Sequence, residues 1–423
     1  MSEFGRERQS DIYVKGLAGD FPAIPIDMAK LEAAAQTVMT PEAFAYVAGG
    51  AGLESTVREN RDALERWKIL PRMLRDVSSR DTTVEIFGKT YDTPFLLAPI
   101  GVQEMAHPDA DLATARAAAA ENVPMIFSNQ ASVSMEECAA VMGDSSRWFQ
   151  LYWSKSNDLV ASLVSRAEES GCEAICVTLD TTLLGWRVRD LDLAYLPFLR
   201  GKGIAQYTSD PVFQQLLNVK PEGGELDQKR RVNLNTLKVL LELMTNYPDD
   251  LLTNVRSGKP LAAVRQFVGI YSRPSLTWED IPFLRQHTKL PIILKGIQHP
   301  EDAQRAKDEG IDGLIVSNHG GRQIDGAIGS LDALKLVIDQ VGSDYPVLFD
   351  SGIRSGADAF KAIALGARAV CIGRPYIWGL ALDGENGVRE VLKNFRADFD
   401  LTMGLAGCTS IAEMGPENLI RLP

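Results

Sequence analysis

The sequence predicts an α/β protein: a closed (β/α)₈ barrel with an N-terminal extension and a long insertion between its fourth and fifth strands. Three observations predict it. Short apolar runs recur eight times along the chain. Each is continuously apolar rather than alternating, as a strand buried on both faces requires. Most of the gaps between them read as amphipathic helices, several closed by a glycine, so strand, helix and turn repeat as one unit. An open doubly wound sheet is the alternative, but eight such units approach the size at which barrels are commonest.

The elements follow in order. Residues 1–94 form the extension, with a helical stretch over Met28–Val38, a loop over 46–52 and a hairpin around Phe87-Gly88-Lys89. The barrel takes up 95–423. Its strands are expected at 95–98, 125–127, 148–152, 174–179, 291–295, 313–316, 346–349 and 369–372. Helices are expected over 111–122, 159–170, 301–309 and 357–365; Gly171, Gly310 and Gly366 follow the last three as C-caps. The insertion, 185–275, is too long for a structureless loop and reads as a lid or accessory subdomain. Within it Leu237, Leu240, Leu241 and Met244 share one helical face, and Pro221-Glu222-Gly223-Gly224-Glu225 reads as a mobile tip.

Composition narrows the function. The chain has 423 residues, 45% apolar and 24% charged, as in soluble globular proteins. A net charge of −12 argues against a nucleic-acid partner, which needs clustered cations. No apolar run reaches the ~18 residues of a membrane span, and the polar N-terminus carries no secretory segment. The five cysteines include only one close pair, Cys172 and Cys176, and nothing completes a zinc site. No metal is expected; reduced thiols in a cytoplasmic protein are.

In such a barrel the chemistry belongs at the C-terminal ends of the strands. Strand four ends near Asp180 and Arg187, strand five at Lys295, and strand six at Ser317, His319 and Arg322. Strand seven ends at Asp350, Gly352 and Arg354, and strand eight at Gly373 and Arg374. Histidine can take a proton near neutral pH, and arginine can grip a carboxylate with two parallel bonds. Of the four histidines, His107, His287 and His299 sit in polar loops, whereas His319 directly follows a buried strand and precedes two glycines. A base and an anion clamp on one loop point to proton removal from a carboxylic acid. Arg354 and Arg374, with the glycines beside them, suggest a phosphate site after strands seven and eight. Each residue also has a plainer reading. His319 could be a bonded rim histidine, Lys295 a rim salt bridge, and Arg354 and Arg374 ion-pair partners of Asp350 or Asp358.

The stretches Ser317-Asn318-His319-Gly320-Gly321-Arg322-Gln323, Phe349-Asp350-Ser351-Gly352-Ile353-Arg354 and Ile372-Gly373-Arg374-Pro375 resemble the FMN-dependent 2-hydroxy-acid oxidase family. The resemblance runs from about residue 46 to residue 407. Ala98-Pro99-Ile100-Gly101-Val102 and Gly185-Trp186-Arg187 are most similar to its lactate 2-monooxygenase branch. The resemblance implies FMN as cofactor and a short L-2-hydroxy acid, foremost L-lactate, as substrate, with oxygen as acceptor. It implies His319 as the base, Asp180 as its partner, and Arg187, Arg322, Tyr46 and Tyr152 as substrate ligands. Lys295 would stabilise the reduced ring; Pro99, Ile100 and Gly101 would line it; Ser128, Gln150, Thr178 and Ser317 would bond to it. Asp350 would bind the ribityl chain, and Gly352, Arg354, Gly373 and Arg374 the phosphate. A homo-oligomer, tetramer or larger, is also implied.

Gly101, lacking a methyl, would leave room for oxygen and retained product, as oxidative decarboxylation to acetate needs; a simple oxidase would release peroxide instead. The insertion is longer than that branch leads one to expect. Gln130 stands where some relatives have an aromatic. A quinone- or cytochrome-linked dehydrogenase attached to a membrane through the insertion, and a non-catalytic flavin-binding scaffold, are the competing readings.

Overall fold

In a computed structural model, which describes residues 3–218 and 233–422, the eight expected strands appear in place. They are β1 (Phe95–Leu97), β2 (Met125–Phe127), β3 (Arg147–Leu151), β4 (Ile175–Thr178), β5 (Ile292–Lys295), β6 (Gly313–Val316), β7 (Val347–Phe349) and β8 (Val370–Ile372). All pair in parallel, and β8 closes on β1 through Val370↔Phe95, Cys371↔Leu96 and Ile372↔Leu97. The helices Ala110–Ala120, Asn157–Glu169, Pro300–Asp308 and Gly356–Ala364 lie within two residues of expectation. The outermost turns fray into capping geometry, which the apolar pattern alone does not locate.

Why the strands read as continuously apolar is now plain. Along each, alternate side chains face opposite sides. Phe95, Leu97, Phe127, Val177, Leu294, Val316, Phe349 and Ile372 face outward into the large core shared with the helices. Leu96, Ile126, Trp148, Cys176, Ile293, Ile315, Leu348 and Cys371 face inward and fill the barrel itself.

The predicted hairpin forms from Val84–Ile86 and Lys89–Tyr91, with Ile86 opposite Lys89. Its two-residue turn has Phe87 at φ 52 and Gly88 at φ 77, the positive angles that match the strands' twist. The hairpin plugs the N-terminal mouth: Phe87 packs against Trp148, ring centroids 5.8 Å apart, and Val84 and Ile86 join the interior cluster. The rest of the extension wraps the barrel. Met28–Val38 forms the expected helix, capped by Asp27. Trp67–Ile69 pairs antiparallel with Leu419–Arg421, joining the extension to the C-terminal end. Helix Arg374–Leu405 runs beside the helix Ala110–Ala120, and its Phe395 and Phe399 meet Phe95 edge-on.

The insertion is a helical subdomain that includes Leu234–Asn246, Leu251–Ser257 and Lys259–Ile270. Its core is aromatic: Phe267 meets Phe198, Tyr207 and Tyr271 at centroid distances of 5.1, 4.8 and 5.1 Å. One expectation is corrected here. Leu237, Leu240 and Leu241 are exposed; of the expected face Met244 alone is buried, and Leu243 is buried beside it. The face that packs is chosen by the segment around Arg200, whose guanidinium pairs with Glu242, and not by where leucines are densest. The expected tip over 221–225 lies outside the described residues.

Candidate active site

The polar end of the barrel follows from the same alternation. Two residues beyond the inward-facing Ile126, Trp148, Cys176, Ile293, Ile315, Leu348 and Cys371 stand Ser128, Gln150, Thr178, Lys295, Ser317, Asp350 and Gly373. Continuing the strand direction for one more inward position therefore converts an apolar plug into a polar floor. Above it opens a cavity of about 760 Å³, within the range of small-molecule and cofactor sites.

Of the residues expected at the site, all but Asp180, Thr178 and Ser317 line this cavity. Those three sit directly behind it. Asp180 accepts from or shares the proton of His319 Nδ1 at 2.9 Å. Thr178 Oγ1 accepts from Gln150 Nε2 at 2.9 Å, and Ser317 Oγ accepts from Lys295 Nζ at 2.8 Å. The other histidines take no part: His287 and His299 are exposed, and the half-buried His107 accepts from the Asp109 backbone.

His319 is held unusually. It has φ 57, with Gly320 and Gly321 at φ 65 and 76: three successive left-handed residues, one of them not glycine, which costs energy that the surroundings must supply. A side chain at Gly320 would stand 2.9 Å from Arg374 Nη1, and one at Gly321 would stand 2.7 Å from the Val57 nitrogen. Both glycines are there for close approach. The turn is tied down by Asn318, which exchanges side-chain hydrogen bonds of 2.9 and 2.6 Å with Asn60 of the extension, and by Ser351 Oγ, which accepts from Gly320 N at 3.0 Å.

Burial pushes the His319 imidazole below its ordinary pKa, and Lys295 and Arg187 push the same way; Asp180 opposes them. His319 is thus neutral near pH 7, free to accept a proton at Nε2. Burial works against charge on Asp180, but His319, Lys295 and the Thr181 hydroxyl outweigh it and hold the carboxyl below its usual range. Thr181 Oγ1 donates to Asp180 Oδ1 at 2.9 Å. Sequence reading passed over Thr181 because a threonine after a strand carries no signal of its own.

Two arginines line the same cavity. Arg322 lies over the Tyr46 ring, 5.1 Å from its centroid, and donates to the carbonyls of Tyr46 and Gly49. Arg187 donates through Nη2 to Gln323 Oε1 at 3.1 Å and lies close enough to bond with the Tyr46 hydroxyl. Burial lowers the Arg322 pKa, and Arg187 beside it adds to the effect. Two adjacent buried cations whose bonds go to neutral oxygens call for an anion.

Lys295 is both things its position suggested. It lines the cavity and pairs with Asp350 Oδ2 at 2.8 Å. Burial disfavours its charge, but Asp350 and Asp180 more than compensate and its pKa rises.

The ion-pair reading of Arg354 and Arg374 is overturned. Asp358 pairs with Arg61 at 2.6 Å and accepts only the backbone N–H of Arg354. Among the described residues the Arg354 guanidinium bonds only to the carbonyl of Ile353. Arg374 donates to the carbonyls of Val47, Gly49 and Gly320 at 2.9–3.0 Å. Burial depresses both guanidinium pKa values. Helix Arg374–Leu405 begins at this wall, with Pro375 in its first turn and the Tyr376 N–H taken up by the Gly373 carbonyl at 3.1 Å. Among the described residues neither guanidinium forms a salt bridge, although the charge of Glu32 acts on both; two buried cations with donors to spare fit a phosphate group.

Gly101 requires a correction. A methyl there would not enter open space: it would stand 2.7 Å from the Gln130 carbonyl oxygen and 2.9 Å from Gln130 Cβ. The residue is small because the backbone of Gln130 packs on it, and it makes no room for oxygen.

Comparison with known proteins identifies the family. Residues 35–421 match the family model described as FMN-dependent dehydrogenase. The chain is 41% identical to an L-lactate oxidase of Lysinibacillus sphaericus, covering 97% of this chain and 96% of the relative. It is 40% identical to an FMN-dependent alpha-hydroxy acid dehydrogenase of Penicillium citrinum, covering 98% and 95%. A crystal structure of mandelate oxidase with (S)-4-hydroxymandelic acid superposes with a TM-score of 0.76 at 37% identity, over 94% of this chain and 98% of that one. The chain therefore belongs to the FMN-dependent dehydrogenase family and is an oxidoreductase whose cofactor is FMN.

Proposed function

We propose that the protein oxidises a short L-2-hydroxy acid, foremost L-lactate, to the 2-oxo acid with oxygen as the acceptor. The observation that carries this reading is the pairing of a neutral, Asp180-backed His319 with two arginines that line the same cavity.

Each residue has a task in it. Arg187 and Arg322, with the Tyr46 hydroxyl, bind the substrate carboxylate. That fixes the 2-hydroxyl toward His319 and Tyr152. His319 takes a proton at Nε2, and Asp180 stabilises the imidazolium that results. Burial keeps the Tyr152 phenol protonated, so it serves as a hydrogen-bond donor. FMN, when bound, would supply the acceptor for the two electrons and their route to oxygen, with hydrogen peroxide as the product. Arg354, Arg374, Gly352 and Gly373 would hold its phosphate and Asp350 its ribityl chain. Lys295, Ser128 and Gln150 would meet its ring, steadied from behind by Ser317 and Thr178, and Pro99, Ile100 and Gly101 would line its reactive edge. Leu184, Leu196, Phe198 and Phe267, also lining the cavity, suit an apolar substrate side chain.

A second reading keeps the product in place. The insertion contributes Phe198, Phe267 and Tyr271 to the cavity wall, which favours retention. Retained 2-oxo acid and peroxide would then yield the shortened carboxylic acid, carbon dioxide and water. The setting that goes with either reading is a cytoplasmic homo-oligomer, tetramer or larger. Among the described residues no helix is long and apolar enough to cross a membrane.

The test is direct. The purified protein is yellow, and L-lactate added without oxygen bleaches it; absence of bleaching with any short 2-hydroxy acid overturns the proposal. In air, pyruvate with free peroxide marks the oxidase, and acetate with carbon dioxide the decarboxylating form.

A further inference from the structure

Gln323 follows Arg322 on the loop after β6. Its carboxamide has two donors and an acceptor oxygen with two lone pairs, and all four capacities are used on one neighbouring loop. Nε2 donates to the carbonyl of Asp180 at 2.6 Å and to that of Leu183 at 2.9 Å. Oε1 accepts from Arg187 Nη2 at 3.1 Å and from Gly185 N at 3.4 Å. The assignment of nitrogen and oxygen is unambiguous, because carbonyls only accept and N–H groups only donate. The two loops also touch backbone to backbone: a side chain at Gly185 would collide with the Arg322 carbonyl and stand 2.8 Å from Gln323 Cα.

That loop follows β4 and contains no helix or strand before Val188. Leu183, Leu184 and Trp186 on it are exposed, so apolar packing does little to hold it. Yet it carries both Asp180, which backs the base, and Arg187, one arm of the clamp.

Resting on the function proposed above, we infer that Gln323 is a positioning residue. It locks the Asp180–Arg187 loop to the His319–Arg322 loop, so that base and clamp keep one spacing. Only an amide fits all four partners. A glutamate would keep the acceptor role but set a carboxylate against two carbonyls, and it would pair with Arg187 in competition with the substrate.

The test uses the FMN-loaded enzyme with Gln323→Leu and the nearly isosteric Gln323→Glu. Oxalate, a planar dianion, is titrated by its perturbation of the flavin absorbance, and L-lactate kinetics are measured alongside. Each variant that retains FMN should show an oxalate Kd and an L-lactate KM raised about tenfold or more, the scale of one lost bond to a charged group, with a smaller change in kcat. In an Arg187→Met background the Gln323→Leu effect should shrink several-fold, because the arm it positions is gone. An unchanged oxalate Kd in both yellow variants, or the same fold-change with and without Arg187, overturns the inference. Wild-type protein that binds oxalate but turns over no 2-hydroxy acid would sink the functional reading alone, and the binding cycle would still judge Gln323.

Discussion

The two ends of this barrel are made by the same eight strands and come out opposite. At the N-terminal end the inward positions are Leu96, Ile126, Trp148, Cys176, Ile293, Ile315, Leu348 and Cys371, sealed beneath the hairpin. One inward step later the residues are Ser128, Gln150, Thr178, Lys295, Ser317 and Asp350, which meet one another by hydrogen bonds and an ion pair. The closed end needs only volume. The open end needs partners, because an unsatisfied buried polar group costs ~1–3 kcal/mol and a buried charge more. Thus the closed end can be repacked cheaply, whereas the open end tolerates loss of a member badly. Arg187, Arg322, Arg354 and Arg374, which form no salt bridge among the described residues, are the ones proposed for carboxylate and phosphate.

The contrast can be broken most sharply at His319. His319→Gln should leave a folded, yellow protein whose anaerobic reduction by substrate, followed by stopped flow, slows by about 10²- to 10⁴-fold. A rate within tenfold of wild type would remove His319 as the base. Next comes the polar floor itself. Lys295→Met leaves Asp350 buried without its cation and should destabilise the protein by about 3–5 kcal/mol in urea unfolding. Adding Asp350→Asn should recover a large part of that loss; no recovery would mean that the pair is not coupled. At the closed end, Ile293→Val removes one methyl from the plug and should cost only about 0.5–1.5 kcal/mol. Turnover per folded molecule should be unchanged, and a fall in kcat would show the plug to be coupled to the site.

The smallest effect is in pH. Burial holds His319 below its ordinary value of 6.5, so the base is already free at neutral pH. The acid limb of kcat/KM should therefore lie below 6.5, with no rise from pH 7 to 8. Asp180 acts to raise the His319 value, so Asp180→Asn should move that limb to still lower pH while slowing the reaction. A limb above 7 in the wild type contradicts the buried neutral imidazole.

Much of the site was legible because it sits on strand ends. His319, Lys295 and Asp350 each end or follow a short apolar run, and local pattern places such runs. Gln323, Thr181 and Asn60 were not legible: their importance lies in what they touch across 143, 138 and 258 positions of chain. Leu237 misled for the same reason: it is exposed, and which side of its helix packs is set by the segment around Arg200, distant in sequence.

By itself, then, the sequence determined the eight strands, the hairpin and the ring of charges at one mouth. These follow from backbone alternation and from which side chains can be buried, and both are local properties. Tertiary structure alone decided how those charges are used. It paired Lys295 with Asp350 and Asp358 with Arg61, leaving Arg354 with no salt bridge among the described residues. It set the Gln130 backbone against Gly101, and so took away the space that the missing methyl had promised. Pairing and free volume depend on groups that meet only after the barrel closes.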